Sequence, residues 1–344
     1  MVGVIIASYA IPQLLLRIPV GLLFDATSRR RLMLAGGIVM TTLGALGLGL
    51  APSPWLLFVA RTVTGIGAAT WVIFAVYFTA YYPRESMGRA IGMINFVQGT
   101  AVVTATSCGG VIADQWGFGY TFFGAALLGI VGLVALLSTR EPAFPRVQPV
   151  SRTGFKTVVT CPLLLIACFM GMLAQFANWA GLFGFIPIYA ASIGASSTDL
   201  GIITMLSLAS AAVIALGAAP IANRFGNSFT IMLGAILLGI PLLTVPLLQN
   251  VVLLEGVMVI YGLGRGILNT ILMTLSIKAV APQQRATAMG VYQAIYAIGM
   301  FLGPLFSGSL ADSHGLGAVF YLSASLCLVI VAMAFLPVLR KPGS

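Results

Sequence analysis

Arg265 stands near the middle of an apolar stretch running from Val251 to Lys278, and Tyr261 and Asn269 lie four residues to either side of it. Residues four apart share one face of a helix. A cation at the centre of an apolar segment is costly unless it faces a polar interior or a ligand. Glu255 is at the far end of the stretch, and no Asp or Glu occupies the middle of any apolar run. The chemistry implied is recognition of a polar or anionic group, with Arg265 supplying charge and Asn269 hydrogen bonds. A buried structural pair is the competing role.

Other polar side chains fall at matching depths. Gln175, Asn178 and Trp179 share a face of one apolar run, Asn95 and Gln98 lie in another, and Gln293 and Tyr296 follow them at an offset of 198 residues. Trp71, with Phe74, lies just inward of the midpoint of a further run. With Arg265, Asn269 and Tyr261 these residues describe a cavity of one cation, several amides and aromatic walls. Arg17, two turns before Asp25, is expected to extend its head group to the membrane interface, and His314 to be solvated. Four cysteines, Cys108, Cys161, Cys168 and Cys327, sit in apolar segments without a C-x-x-C pair and read as buried structural thiols. No phosphate loop, metal motif or catalytic triad is present, so neither enzymatic function nor a cofactor is expected.

The elements that position these groups follow from composition. Of 344 residues, 60% are hydrophobic and 7% charged, and mean hydropathy is +1.08. A soluble surface needs about 25% charged residues, so the bilayer must be the solvent. Runs long enough to span it, about 20 residues each, cover 3–23, 32–51, 55–81, 88–112, 118–138, 160–190, 199–220, 229–248, 251–279, 286–311 and 316–337. Eleven helices are expected; strands of a barrel would be about 10 residues with alternating polarity. The fold class is an all-α polytopic membrane protein.

The net charge of +10 does not indicate nucleic-acid binding, because the basic residues occupy short loops rather than one amphipathic face. Arg29, Arg30 and Arg31, then Arg84 and Arg89, Arg140 to Lys156, Arg224, Arg285, and Arg340 with Lys341 all fall in alternate connections. The opposite connections, around Pro52, Asp114, Asp199, Asn250 and Asp312, carry no Lys or Arg. This asymmetry predicts a cytoplasmic basic side and a cytoplasmic C-terminus. Residue 1 then lies on the other side without a basic anchor.

The chain also repeats itself. Asp25-x-x-Ser28 recurs as Asn223-x-x-Gly226, Gly65-x-Gly67 as Gly262-x-Gly264, and Ala113-Asp114-x-x-Gly117 as Ala311-Asp312-x-x-Gly315, at offsets of 197 or 198 residues. Gly92 and Gly290 each precede their aspartate by 22 residues. The expected organisation is an N-terminal bundle over 1–138, a cytoplasmic central loop over 139–159, and a six-helix C-terminal bundle over 160–344. The first bundle has five segments where the second has six. The expected sixth precedes residue 1 and would hold any coupling carboxylate.

Gly21-x-x-x-Asp25 followed by Arg29, Arg30 and Arg31 resembles the G-x-x-x-D-R-x-G-R-R/K loop of the major facilitator superfamily, with Ala26 and Ser28 in place of the usual Arg and Gly. Arg61-x-x-x-Gly65-x-Gly67 is similar to the family's fourth-helix pattern. The fifth-helix signature of its drug/proton antiporters is broken: Gly109-Gly110 remains, but Ala105-Thr106 stands at the Gly-Pro position. Gly303-Pro304 and Gly308 keep that pattern in the second half.

The resemblance implies two helix bundles rocking around a central site, with Gly21, Asp25, Arg29 and Arg30 forming a conformational latch. It also implies that Arg61 and Gly65 serve coupling or switching. Expected is secondary transport of a small polar, notably anionic, organic solute by a monomer in the bacterial inner membrane, with protons the candidate coupling ion. Proton-driven multidrug efflux is the alternative. From another class come a non-transporting membrane sensor and a truncated inactive product.

Overall fold

A computed structural model describes residues 8–142 and 152–340. The openings of the first apolar run, the centre of the polar connection and the last four residues lie outside them. Among the described residues the regular structure is helical and contains no strand, as expected where lipid offers the backbone no hydrogen-bond partners. The helices in chain order are α1 (Ala10–Ala26), α2 (Arg30–Leu50), α3 (Pro54–Ala69), α4 (Trp71–Thr79), α5 (Met87–Trp116), α6 (Phe118–Ser138), α7 (Arg152–Val159), α8 (Pro162–Ala180), α9 (Ile186–Ser192), α10 (Ser197–Phe225), α11 (Asn227–Thr244), α12 (Val251–Lys278), α13 (Arg285–His314), α14 (Leu316–Met333) and α15 (Pro337–Arg340).

Among the described residues ten helical stretches are long and apolar enough to cross a membrane. They coincide with the expected segments from 32–51 onward. The eleventh expected segment, 3–23, begins outside the described residues, and its described part belongs to the 17-residue α1.

The helices group into two compact units that do not follow chain order. Unit 1 comprises 1–83, 105–161 and 277–297; unit 2 comprises 84–104, 162–276 and 298–344. In unit 1, α2 packs along α3 and α6, and α1 packs on α3. Small residues make this possible: a Cβ at Gly37 would collide with the Thr70 side chain, and one at Gly67 would meet Thr41 and the Gly37 carbonyl. In unit 2, α14 packs on α8 and α11. The glycine contact recurs there, since a Cβ at Gly264 would lie 2.5 Å from the Leu237 carbonyl carbon and 2.7 Å from the Gly234 carbonyl oxygen. Close backbone approach of this kind is how helices associate in a medium as apolar as their own side chains.

The duplication is visible in the turns. Gly117 and Gly315 have φ of 93° and 82°, and each donates its N–H to the carbonyl four residues back, Ala113 and Ala311, at 2.9 Å. Positive φ is accessible to glycine without a steric penalty, so each helix stops and the next starts at once. Helix α10 begins in a capping box, with the Ser196 hydroxyl accepting from the Asp199 N–H at 3.2 Å and the Asp199 carboxylate accepting from the Ser196 N–H at 2.7 Å. Of the cysteines, Cys168 and Cys327 are buried within the protein, whereas Cys108 is exposed on the surface of the membrane-spanning stretch 87–109.

Candidate functional site

In unit 2, α12 carries Arg265 and Asn269, and the first part of α5 carries Asn95 and Gln98. All four line one cavity of about 140 Å³, together with Phe183, Thr270 and small residues of α10. Helix α5 lies close to α10 there because Gly92 and Gly99 abut Ala215 and Ala212. Asn95, buried, donates to the Thr270 hydroxyl at 3.2 Å and accepts from the Asn269 amide at 3.4 Å. The amides thus hold one another and fix the polar wall.

Arg265 is half-buried. Among the described residues no hydrogen bond or ion pair engages its guanidinium, and its recorded neighbour is the Phe183 ring, 5.9 Å from Cζ to centroid. A guanidinium over an aromatic face keeps its planar N–H groups available to a ligand. Phe183 belongs to a widened π turn, Gly181–Phe185, which interrupts the helical run between α8 and α9. Such turns concentrate at functional sites. The ring is set by Trp179, whose centroid lies 5.0 Å away. Neither Phe183 nor Thr270 stands out from sequence, although the four-residue spacing of Trp179 and Phe183 and the glycines at 181 and 184 are the available signals.

Tyr261 does not line this cavity. It is fully buried, and its hydroxyl donates to Asn178 at 3.4 Å, while the Asn178 amide donates to Gln175 at 3.3 Å. Gln175, Asn178 and Tyr261 therefore form a relay joining α8 to the helix that carries Arg265.

The remaining expected residues lie in unit 1. Arg17 departs from expectation: it is buried, donating to the Gln293 carbonyl at 2.9 Å and to the Gln13 side chain, with its Cζ 4.9 Å from the Tyr296 ring centroid. Local acceptors within the helix pair engage both terminal nitrogens of the guanidinium, while its buried Nε has no hydrogen-bond partner among the described residues. Gln293 is fully buried, and among the described residues its side-chain amide has no partner. Arg61 sits over the Tyr9 ring at 5.5 Å, and a Cβ at Gly65 would lie 2.5 Å from the Tyr9 carbonyl oxygen.

Below Arg17, Gly21 abuts the Ala286 carbonyl, and Asp25 accepts from the Thr287 N–H at 2.8 Å and the Thr287 hydroxyl at 2.6 Å. Thr287 is in the first turn of α13, where free N–H groups favour an anion. Arg30 caps α1 by donating to the Phe24 carbonyl at 3.2 Å. The Arg29 backbone N–H binds the Thr27 hydroxyl at 3.1 Å, and its side chain is exposed. Trp71 and Phe74 line a separate, largely apolar cavity of about 210 Å³ in unit 1.

Among the described residues no cluster of three or more His, Cys, Asp or Glu side chains is arranged to hold a metal ion. The polar side chains lining the cavity are one guanidinium, three amides and a hydroxyl, those of Arg265, Asn95, Gln98, Asn269 and Thr270.

The chain resembles known proteins over most of its length. It is 21% identical over 357 aligned residues to an uncharacterized MFS-type transporter of Methanocaldococcus jannaschii, covering 98% of this chain and 89% of that one. It is 23% identical to the multidrug resistance protein MdtG of Klebsiella pneumoniae, covering 94% and 80%. Among solved structures, the human organic anion transporter MFSD10 superposes with a TM-score of 0.84 at 15% identity, covering 96% and 83%. The E. coli fucose:proton symporter FucP does so with 0.74 at 14%, covering 96% and 89%. The Major Facilitator Superfamily model matches residues 1–190 and again 168–344. This chain, an integral multi-pass membrane protein whose family consists of transporters, belongs to the Major Facilitator Superfamily.

Proposed function

We propose that the protein is a secondary active transporter of a small polar organic solute bearing an anionic group, bound at Arg265. The observation that carries this reading is a guanidinium with no hydrogen-bond or ion-pair partner among the described residues, opening on a cavity whose other polar groups are Asn95, Gln98, Asn269 and Thr270. Arg265 attracts the charged group, and the amides bind the rest of the solute. The relay of Gln175, Asn178 and Tyr261 positions α12. Asp25 with Thr287 acts as a latch that holds in one conformation and opens in another, which is how differential contacts couple a site to a conformational change. The basic connections and the C-terminus face the cytoplasm in this reading, and the protein is a monomer of a bacterial inner membrane. An organic anion transporter among the structural neighbours is in keeping with the charge of the site.

The test is uptake into proteoliposomes of a panel of radiolabelled carboxylates and organic phosphates by the natural full-length protein. Arg265→Ala is expected to lower transport of the accepted anion at least about tenfold, the scale of one lost charged hydrogen-bond pair. Unchanged transport would remove the assignment. Repeating the assay with an imposed pH gradient shows whether protons are coupled.

A second reading, proton-driven efflux of hydrophobic cations, draws on the similarity to a multidrug resistance protein and on the aromatic pair Trp179–Phe183. It predicts that expression confers resistance to cationic dyes, with Arg265→Ala leaving that resistance intact.

A further inference from the structure

We infer that the cavity at Arg265 selects a short hydroxy-monocarboxylate over amino acids, dicarboxylates and plain fatty acids, an inference that rests on Arg265 being the anion site. The hydrogen bonds already made within the lining carry it. Asn95 donates to the Thr270 hydroxyl at 3.2 Å and accepts from the Asn269 amide at 3.4 Å. A side-chain amide offers two N–H donors and one oxygen acceptor. The Asn269 nitrogen is thus turned to its neighbour, while its Oδ1 has no partner among the described residues. Asn269 is half-buried and lines the cavity. The vacant position on the polar wall is therefore an acceptor, and a solute answers it with an O–H or N–H donor.

The helix sets the spacing of the two groups. Arg265 and Asn269 are four residues apart on α12, about 6 Å along its axis. A carboxylate on Arg265 and a donor on Asn269 belong to one short solute, a few bonds apart. Without that donor, binding displaces water from Asn269 and returns no hydrogen bond.

Charge decides which donor it is. Among the described residues the lining holds one guanidinium and no carboxylate. An ammonium group would enter beside a cation with no counter-charge. The aromatic face that could receive it, Phe183, already has the Arg265 guanidinium 5.9 Å from its centroid. A second carboxylate would lack a second cation. A neutral hydroxyl meets neither penalty.

The opposite wall limits the rest of the solute. It is made by Leu208, Ala211, Ala212 and Ala215 of α10, which accept a short carbon chain and leave the hydroxyls of a polyol unpaired. The volume of about 140 Å³ is room for roughly five to ten waters, and so for about as many non-hydrogen atoms.

The test titrates the full chain in lipid nanodiscs with four three-carbon probes at neutral pH and fixed ionic strength: lactate, propionate, alanine and malonate. Tryptophan fluorescence reads binding, since the Trp179 ring lies 5.0 Å from that of Phe183. Lactate is expected to bind at least about fivefold more tightly than each of the other three, the scale of one hydrogen bond or one unpaired polar group. Asn269→Leu is expected to bring the lactate-to-propionate ratio to within about twofold of one. A ratio is read because a general loss of folded protein does not move it. Propionate, alanine or malonate binding as tightly as lactate would overturn the inference, as would an unchanged ratio in Asn269→Leu or no saturable binding of lactate. Arg265→Ala separates the two levels of the reading. If it leaves all four affinities unchanged, the anion site itself is wrong; if it weakens them all while lactate holds no advantage in the parent chain, only the choice of a hydroxy acid fails.

Discussion

Helices α6 and α14 lie 198 residues apart in the two repeats, each starting after a glycine of positive φ, yet they are packed to different degrees. Of the residues in the most apolar stretch of α6, 11% are buried, against 33% in α14. Their hydropathies are alike, 2.2 and 2.3, so the difference does not come from how apolar each helix is. It comes from neighbours: α14 meets both α8 and α11, whereas α6 meets α2. In a bilayer an apolar residue gains little by leaving lipid for protein, and close packing carries the association of helices. With fewer packed neighbours among the described residues, α6 is held more weakly than its twin, and substitutions at matching positions of the two report the difference.

The largest effect is expected at the aromatic position. Phe320→Ala empties a site closed by the Tyr189 ring and should lower stability by about 3 kcal/mol, within the range for core phenylalanines. Phe122→Ala should cost about 1 kcal/mol or less, because its site is already open. Thermal unfolding in detergent, followed by size-exclusion recovery, measures both; equal losses would break the comparison.

Next is the contact of Asp25 with Thr287. Asp25→Ala removes two charge-assisted hydrogen bonds to Thr287 and should cost about 2–3 kcal/mol. Asn223, its counterpart, makes no such contact among the described residues, and Asn223→Ala should change the unfolding midpoint little. A smaller effect is expected from enlarging a small side chain on each helix. Ser323→Leu overfills a closed contact and should cost about 1–3 kcal/mol, while Ala125→Leu should be neutral or mildly stabilising in the same assay. A loss at Ala125 as large as at Ser323 would mean that α6 is packed after all.

Four of the eleven residues that the sequence places in a cavity line the same one, for a simple reason. Helical spacing places Arg265 and Asn269 on one face, and the 198-residue offset picks out Asn95 and Gln98 as polar groups at matching depth. The structure brings these four to one cavity. Tyr261 shows the limit of the same rule: four residues from Arg265, it points to Asn178 and is sealed from the cavity, because side chains on one helical face diverge when a neighbouring helix offers a partner. Phe183 was hidden because a π turn shifts the face by a residue, and periodicity has no term for that. Arg17 is buried rather than interfacial because one acceptor, Gln13, lies one turn away on α1 and the other, the Gln293 carbonyl, becomes a neighbour through packing of α1 against the start of α13.

Sequence by itself determined that this is a multi-pass helical membrane protein in two repeats, since charge content, run length and the spacing of glycines and aspartates are local properties of the chain. It also determined which polar residues sit deep in apolar segments. The tertiary structure alone decided which of them meet: Asn95 with Asn269 and Thr270, Asp25 with Thr287, Arg17 with Gln293, and Arg265 with an aromatic ring and, among the described residues, no carboxylate. Those pairings span up to 276 positions in the chain. They depend on which small residues let two helices approach, and no periodicity within one helix encodes its neighbour.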